Sequence, residues 1–136
     1  MIVLTVCTQT VAREITSADT MTPVQFFKCL SDETRLRCMM LLHREGKLCV
    51  CELTHALDLS QPKISRHLAQ LRHGGLLTDK REGQWVYYQI NRELPRWARD
   101  MLDTAVAATK QEARYRDDYE RLRTMSARPK EARCAV

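Results

Sequence analysis

The sequence predicts a mainly α-helical fold that carries one small β-hairpin, and three observations lead there. Two short helical periods lie on either side of a break at Asp58-Leu59-Ser60. Directly after the second, the apolar spacing changes from helical to alternating. A long amphipathic period then follows, from Leu94 onward. Two short helices joined by a turn of a few residues form a helix-turn-helix, and a hairpin behind it is a wing. The predicted class is therefore a winged helix-turn-helix.

Each element has its own justification. Residues 1–20 show no sustained period and are expected to be a poorly ordered leader, with Met21 a candidate native start. The folded unit is expected over 21–109, with a helical extension and basic tail over 110–136. Pro23 opens a short helix bearing Phe26, Phe27 and Leu30, since proline is tolerated in a first helical turn. Ser31 and Asp32 are N-cap candidates for a second helix, whose Leu36, Met39 and Met40 side ends at Gly46. Val50, Leu53 and Leu57 recur at i, i+3 and i+7 and form a third helix. Ser60 can cap a fourth over Gln61–His73, with Pro62 in its first turn and Ile64, Leu68 and Leu71 as its apolar stripe. Leu76–Arg81 and the alternating run after Gln84 are the two strands, and Gly83 supplies the turn. Leu94, Trp97, Ala98, Met101, Leu102 and Ala105 line a last helix, which is expected to run on toward Tyr115, Tyr119 and Leu122.

Charge then points to a partner. The chain carries 22 Lys and Arg against 17 Asp and Glu, a net +5. Residues 60–85 hold five basic and two acidic side chains, and residues 110–136 hold eight and five, so the excess is local. Basic groups in such a position neutralise phosphates and release counterions. Ser60, Gln61, Lys63, Ser65, Arg66 and His67 lie on the first two turns of the second reading-unit helix. Gln, Ser and Arg can reach base edges in a major groove, whereas Lys63 and the wing pair Lys80 and Arg81 suit phosphates. A charge run alone is most often a solvated face; the Leu/Ile spacing and the hairpin behind it favour double-stranded DNA. Readers of this kind work as two-fold dimers on inverted half-sites. A homodimer interface is accordingly expected from Phe26, Phe27, Leu94, Trp97, Met101, Leu102 and Ala105, which otherwise would simply complete one chain's core.

Several classes are excluded. No apolar run reaches the roughly 20 residues of a membrane span, and Met1–Val6 has no basic leader, so a cytoplasmic protein without a membrane partner is expected. There is no nucleotide-binding glycine loop, no HExxH and no convincing Ser/His/Asp set, so no enzyme and no constitutive cofactor are expected. The six cysteines are then the odd feature, because a reducing compartment does not favour a disulfide framework. Cys49 lies near the buried stripe, while Cys51 has His55 and Asp58 as helical neighbours. In a regular helix, residues two apart point about 200° apart, so joint ligation by this pair is expected to require a frayed first turn. Ion binding and DNA binding would then draw on the same turn and oppose one another. Cys29 and Cys38 look like packing, and Cys7 and Cys134 fall in the two arms.

The run Leu48-Cys-Val-Cys-Glu-Leu53, with Ser60-Gln-Pro-Lys-Ile-Ser-Arg-His-Leu68 and Gly83-Gln-Trp-Val-Tyr-Tyr88, resembles the ArsR/SmtB family and within it the arsenical-resistance operon repressors. Asp32-Glu-Thr-Arg-Leu36 resembles it too, and the similarity spans about residues 23–105. The resemblance implies a homodimeric repressor released from an inverted-repeat operator when As(III) or Sb(III) binds thiolates as inducer. Cys49 and Cys51 align with the first two cysteines of the family's inducer site; the third, commonly three residues further, falls here on Thr54. A two-thiolate site, or one completed by solvent or a buffer thiol, is the resulting expectation. Relatives that sense cadmium or lead add cysteines from an N-terminal arm, where this chain has Cys7. A thiol-redox switch on the same scaffold is the remaining alternative. Zinc or nickel sensing on the last helix is disfavoured, since all four histidines (His43, His55, His67, His73) precede it.

Overall fold

A computed structural model describes residues 21–126, 128 and 129. The expected leader, Cys7, Cys134 and the end of the tail lie outside the described residues. The described chain forms α1 (Pro23–Leu30), α2 (Glu33–Glu45), β1 (Lys47–Cys49), α3 (Val50–Leu57), α4 (Gln61–His73), β2 (Leu77–Glu82), β3 (Trp85–Ile90), α5 (Arg96–Thr109) and α6 (Ala113–Arg123). No helix among the described residues is long and apolar enough to cross a membrane.

Local chemistry sets the element ends. Thr22 caps α1 by accepting the Gln25 N–H at 3.2 Å, and the Gln25 side chain accepts the Thr22 N–H at 2.9 Å. Asp32 caps α2 through the Arg35 N–H. Gly46, at φ 92°, turns the chain out of α2 into β1, a conformation that side chains disfavour. The helix-turn-helix break uses Asp58 itself in the left-handed region (φ 56°), after which Ser60 caps α4. Residues Phe26, Met39, Leu48, Leu53, Ile64 and Leu68 are fully buried and join α1 through α4 and β1 in one core.

Three expectations need correction. The expected hairpin of β2 and β3 is present, but β1 joins it and extends it to a sheet of order β1-β3-β2, antiparallel throughout. Lys47, Leu48 and Cys49 face Gln89, Tyr88 and Tyr87 in register. The last helix does not run on to Tyr115 and Leu122: α5 ends at Thr109, and α6 packs back on α2 and α3 with Leu122 fully buried. Finally, Phe26, Leu94 and Leu102 are 0%, 4% and 1% exposed within a single chain, so these three serve its own core instead of a free interface. Phe26 stacks edge-on against Trp97, joining α1 to α5, and Trp97 and Ala105 are half-buried. Phe27 (50%) and Met101 (40%) remain exposed on these helices.

Candidate functional site

The reading surface is built on α4. Ile64, Leu68 and Leu71 are buried against the core, so the opposite face is turned outward. Ser60, Gln61 and Arg66 are exposed, and Lys63 and Ser65 are half-buried. Ser60 spends its hydroxyl on the cap of α4, accepting the Lys63 N–H at 3.4 Å. Lys80 and Arg81 are exposed on β2, on the wing beside the helix.

His67 does not belong to that outward face. It is only 8% exposed, with Nδ1 at 3.7 Å from the Asp32 carboxylate and 3.4 Å from the Arg35 guanidinium. Burial holds its pKa below the ordinary imidazole value, helped by the charges of Arg35, Arg66 and Lys63 against the opposing effect of Asp32. Burial works to raise the Asp32 carboxyl, but the Arg35 N–H and the His67 and Arg35 charges outweigh it and leave the group lowered. Arg35 organises this junction. It donates to Gln70 Oε1 on α4 at 2.7 Å and to the Cys29 carbonyl at the end of α1 at 2.6 Å. It thereby fixes the reading helix to the scaffold, a role only visible once α1, α2 and α4 are in place.

The thiol pair lies at the start of the same reading unit. Cys49 is the last residue of β1 and the N-cap of α3, in extended conformation (φ −90°, ψ 169°). Because it stands outside the helix, the 200° argument does not apply. Its Sγ approaches that of Cys51 to 2.8 Å, within reach of a thiol–thiol hydrogen bond, and no unwinding is needed to bring the pair together. Cys49 is buried and Cys51 half-buried. Burial, and then the hydrogen bond with Cys51, push the Cys49 thiol up to about 12.

Glu52 shapes this corner. Its Oε1 accepts the Cys49 N–H at 2.9 Å, and its Oε2 accepts from Arg128 Nε at 2.7 Å. The Cys-x-x-Glu spacing from Cys49 to Glu52 matches that of a capping box, the one signal by which the sequence could have revealed the arrangement. Thr54 Oγ1 is buried without a hydrogen-bond partner among the described residues. No third His, Cys, Asp or Glu joins the thiol pair as a metal-binding group among them. The arrangement therefore suits a soft ion held by two sulfurs: sulfur ligands at about 2.3 Å from one ion lie within about 4.6 Å of each other. Cys29 and Cys38 are buried core residues.

A helix-turn-helix with an exposed polar face on its second helix and a charged wing beside it is the architecture of a DNA-binding regulator. Residues 32–79 match the family of bacterial regulatory proteins described as arsR. The chain is 60% identical over 91 residues to the arsenic resistance transcriptional regulator ArsR1 of Pseudomonas putida, covering 67% of this chain and 71% of the relative. It is 55% identical over 108 residues to ArsR2 of the same organism, covering 79% and 92%. The crystal structure of the AntR antimony-specific transcriptional repressor aligns with a TM-score of 0.55 and 28% identity, over 68% of this chain and 86% of that one. This chain belongs to the arsR family of bacterial transcription regulators.

Proposed function

We propose that this chain is an arsenical-resistance repressor that binds an inverted-repeat operator as a homodimer and leaves it when As(III) or Sb(III) binds Cys49 and Cys51. The observation that carries the reading is the 2.8 Å approach of the two sulfurs at the junction of β1 and α3. The names of its relatives, arsenic resistance regulators and an antimony-specific repressor, support the choice of inducer.

When bound, the ion supplies a soft electrophilic centre that takes the place of the two thiol protons. The chain supplies the coupling. Cys49 is in register with Tyr87 of β3, so it belongs to the wing; Cys51 belongs to α3, which packs on α4. Cys49 and Cys51 would hold the ion, and holding it would move the two sulfurs out of their 2.8 Å contact and shift β1 against α3, while the operator needs both in their free arrangement. The linkage between inducer and DNA is therefore negative. Exposed Phe27 on α1 and Met101 on α5 are the apolar side chains offered to a second copy. The DNA contacts are assigned to Gln61, Lys63, Ser65 and Arg66, with Lys80 and Arg81 on phosphates and Ser60 at the cap.

The same closeness of the sulfurs favours one other reading, in which peroxide takes two electrons and two protons from the pair, giving a disulfide and two waters. An operator-release titration with As(III), Sb(III), Cd(II) and peroxide separates the two. Micromolar arsenite is expected to release the wild type, while Cys49→Ser and Cys51→Ser bind operator normally and stay bound. Release of either variant by arsenite overturns the assignment, and release of the wild type by peroxide alone transfers it to oxidation.

A further inference from the structure

Glu52 is 1% exposed in its side chain, and a lone carboxylate so buried is unfavourable as an anion. Its counter-charge comes from far along the chain. Arg128, itself 12% exposed, reaches Oε2 at 2.7 Å and also lies 3.5 Å from Glu45 at the end of α2. Burial opposes the Arg128 charge, but the hydrogen bond and charge of Glu52, with Glu45, more than compensate and raise its pKa.

The path that brings Arg128 there is firmly seated. Arg121 on α6 donates to the Ala56 carbonyl at 2.7 Å, and Asp118 on α6 holds Arg37, which in turn donates to the Leu57 carbonyl at 3.0 Å. These bonds satisfy the last two carbonyls of α3, which have no partner within their own helix. The segment after α6 then reaches the opposite end of α3, where Arg128 meets Glu52. Helix α6 and Arg128 thus hold the thiol-bearing helix at both ends, and both lie outside residues 32–79, where the family match is found.

We infer that Arg128 is a positioning residue for the Cys49–Cys51 pair, acting through Glu52. The two carboxylate oxygens divide the work: Oε2 takes the Arg128 charge, and Oε1 holds the Cys49 N–H. That second bond fixes Cys49 at the cap of α3, in the extended conformation that turns its sulfur toward Cys51. Without Arg128 the carboxylate loses its counter-charge and swings to water, and its hold on the Cys49 N–H weakens. The inference rests on the thiol pair being the inducer site, and it assigns to the C-terminal region a part in preparing that site.

The test compares Arg128→Met, Arg128→Lys and the double variant Glu52→Gln/Arg128→Met with the wild-type full chain. Arsenite affinity is expected to fall about tenfold to a hundredfold in Arg128→Met, the usual cost of losing a group that orients a metal ligand. Inducer-free operator affinity is expected to stay unchanged. Arg128→Lys keeps the charge and recovers most of the loss. The double variant also recovers it, because a neutral amide oxygen still accepts the Cys49 N–H and needs no counter-charge. A merely structural role for Arg128 predicts loss and rescue of folding stability alone, with the arsenite affinity of the folded protein unchanged throughout. Wild-type arsenite affinity in Arg128→Met, or a double variant no better than Arg128→Met, overturns the inference.

A second measurement is independent of the metalloid. Diamide closes neighbouring thiols to a disulfide and is itself reduced to the hydrazine, and the rate of closure at Cys49–Cys51 reads how well the sulfurs are aligned. Closure is expected to slow in Arg128→Met and to recover in the double variant. If wild-type protein ignores arsenite yet shows this pattern, the inducer assignment falls and the positioning role stands. Equal closure rates in all variants remove the positioning role.

Discussion

Replacing Asp118 by alanine is expected to cost about 4 kcal/mol of folding stability, within the range of about 3–5 kcal/mol for removing one member of a buried ion pair. The pair is Arg37–Asp118, with side chains 7% and 1% exposed. Arg37 Nε meets Oδ2 at 2.8 Å, and its terminal nitrogen meets Oδ1 at 2.7 Å. Two charge-assisted bonds at about 1.5–3 kcal/mol each give a figure of the same size. Arg121 adds a third contact to Asp118, but its more exposed side chain is screened and adds little. In Asp118→Ala the guanidinium of Arg37 keeps only the Leu57 carbonyl and stays buried without a counter-ion. Urea unfolding is the assay, and with a slope of about 2 kcal/mol per molar the midpoint falls by about 2 M. Arg37→Met/Asp118→Leu is expected to recover much of the loss, because paired apolar replacements leave no stranded charge. A loss below about 1 kcal/mol, the value of an exposed pair, refutes the view that α6 is sealed onto α2 and α3 by this bridge.

Acidification should destabilise the protein in two steps. His67 and Asp32 both hold their protons less tightly in the fold than at their ordinary values of 6.5 and 3.8, so the folded state binds fewer protons than the unfolded chain. Their stabilisation is complete above the ordinary values and is lost as pH falls below each, first for His67 and then for Asp32. Thermal melting between about pH 7 and about pH 5 should show the first step, and His67→Gln should flatten it. Lys80→Ala should lower the slope of log affinity against log salt by about 0.9 while weakening all DNA alike, as expected for one lost phosphate contact. Arg66→Ala should instead narrow the gap between operator and random DNA; a uniform loss in electrophoretic mobility titrations would move Arg66 to the phosphate group of contacts. Asp58→Gly should stabilise the chain by about 0.5–1 kcal/mol, because the left-handed conformation costs glycine nothing, and an unchanged melting temperature would contradict that.

Periodicity made most of the fold legible. The spacing of Ile64, Leu68 and Leu71, a serine before them and glycines after them delimit α4 as Gln61–His73, as found. The elements it missed depend on distant partners. β1 has three residues, too few to display alternation, and exists because Lys47–Cys49 meets Tyr87–Gln89 of β3, far along the sequence. Periodicity alone therefore puts Cys49 within a helical wheel, whereas its strand pairing and the Glu52 cap put it outside. His67 falls three residues after Ile64 and beside Leu68, on the margin of the apolar stripe, and its polarity concealed a position turned toward Asp32 and Arg35. The break at Lys110-Gln111-Glu112 contains neither glycine nor proline, so the pattern from α5 to α6 looked continuous. Nothing local announces that Arg128 finds Glu52.

The sheet order has a consequence for the protein in bulk solution. With β3 in the centre, β2 is an edge strand among the described residues, the place where a strand from another molecule would add. Its exposed stretch is Thr78-Asp79-Lys80-Arg81, three charges in succession, and a neighbouring copy approaching edge to edge would meet them across the new ladder. The opposite edge, β1, is three residues long and passes directly into α3, which leaves too little backbone to extend. The same wing charges that suit a phosphate backbone thus oppose edge-to-edge pairing of two copies. Stripping them for weaker DNA binding would be expected to trade operator affinity for aggregation.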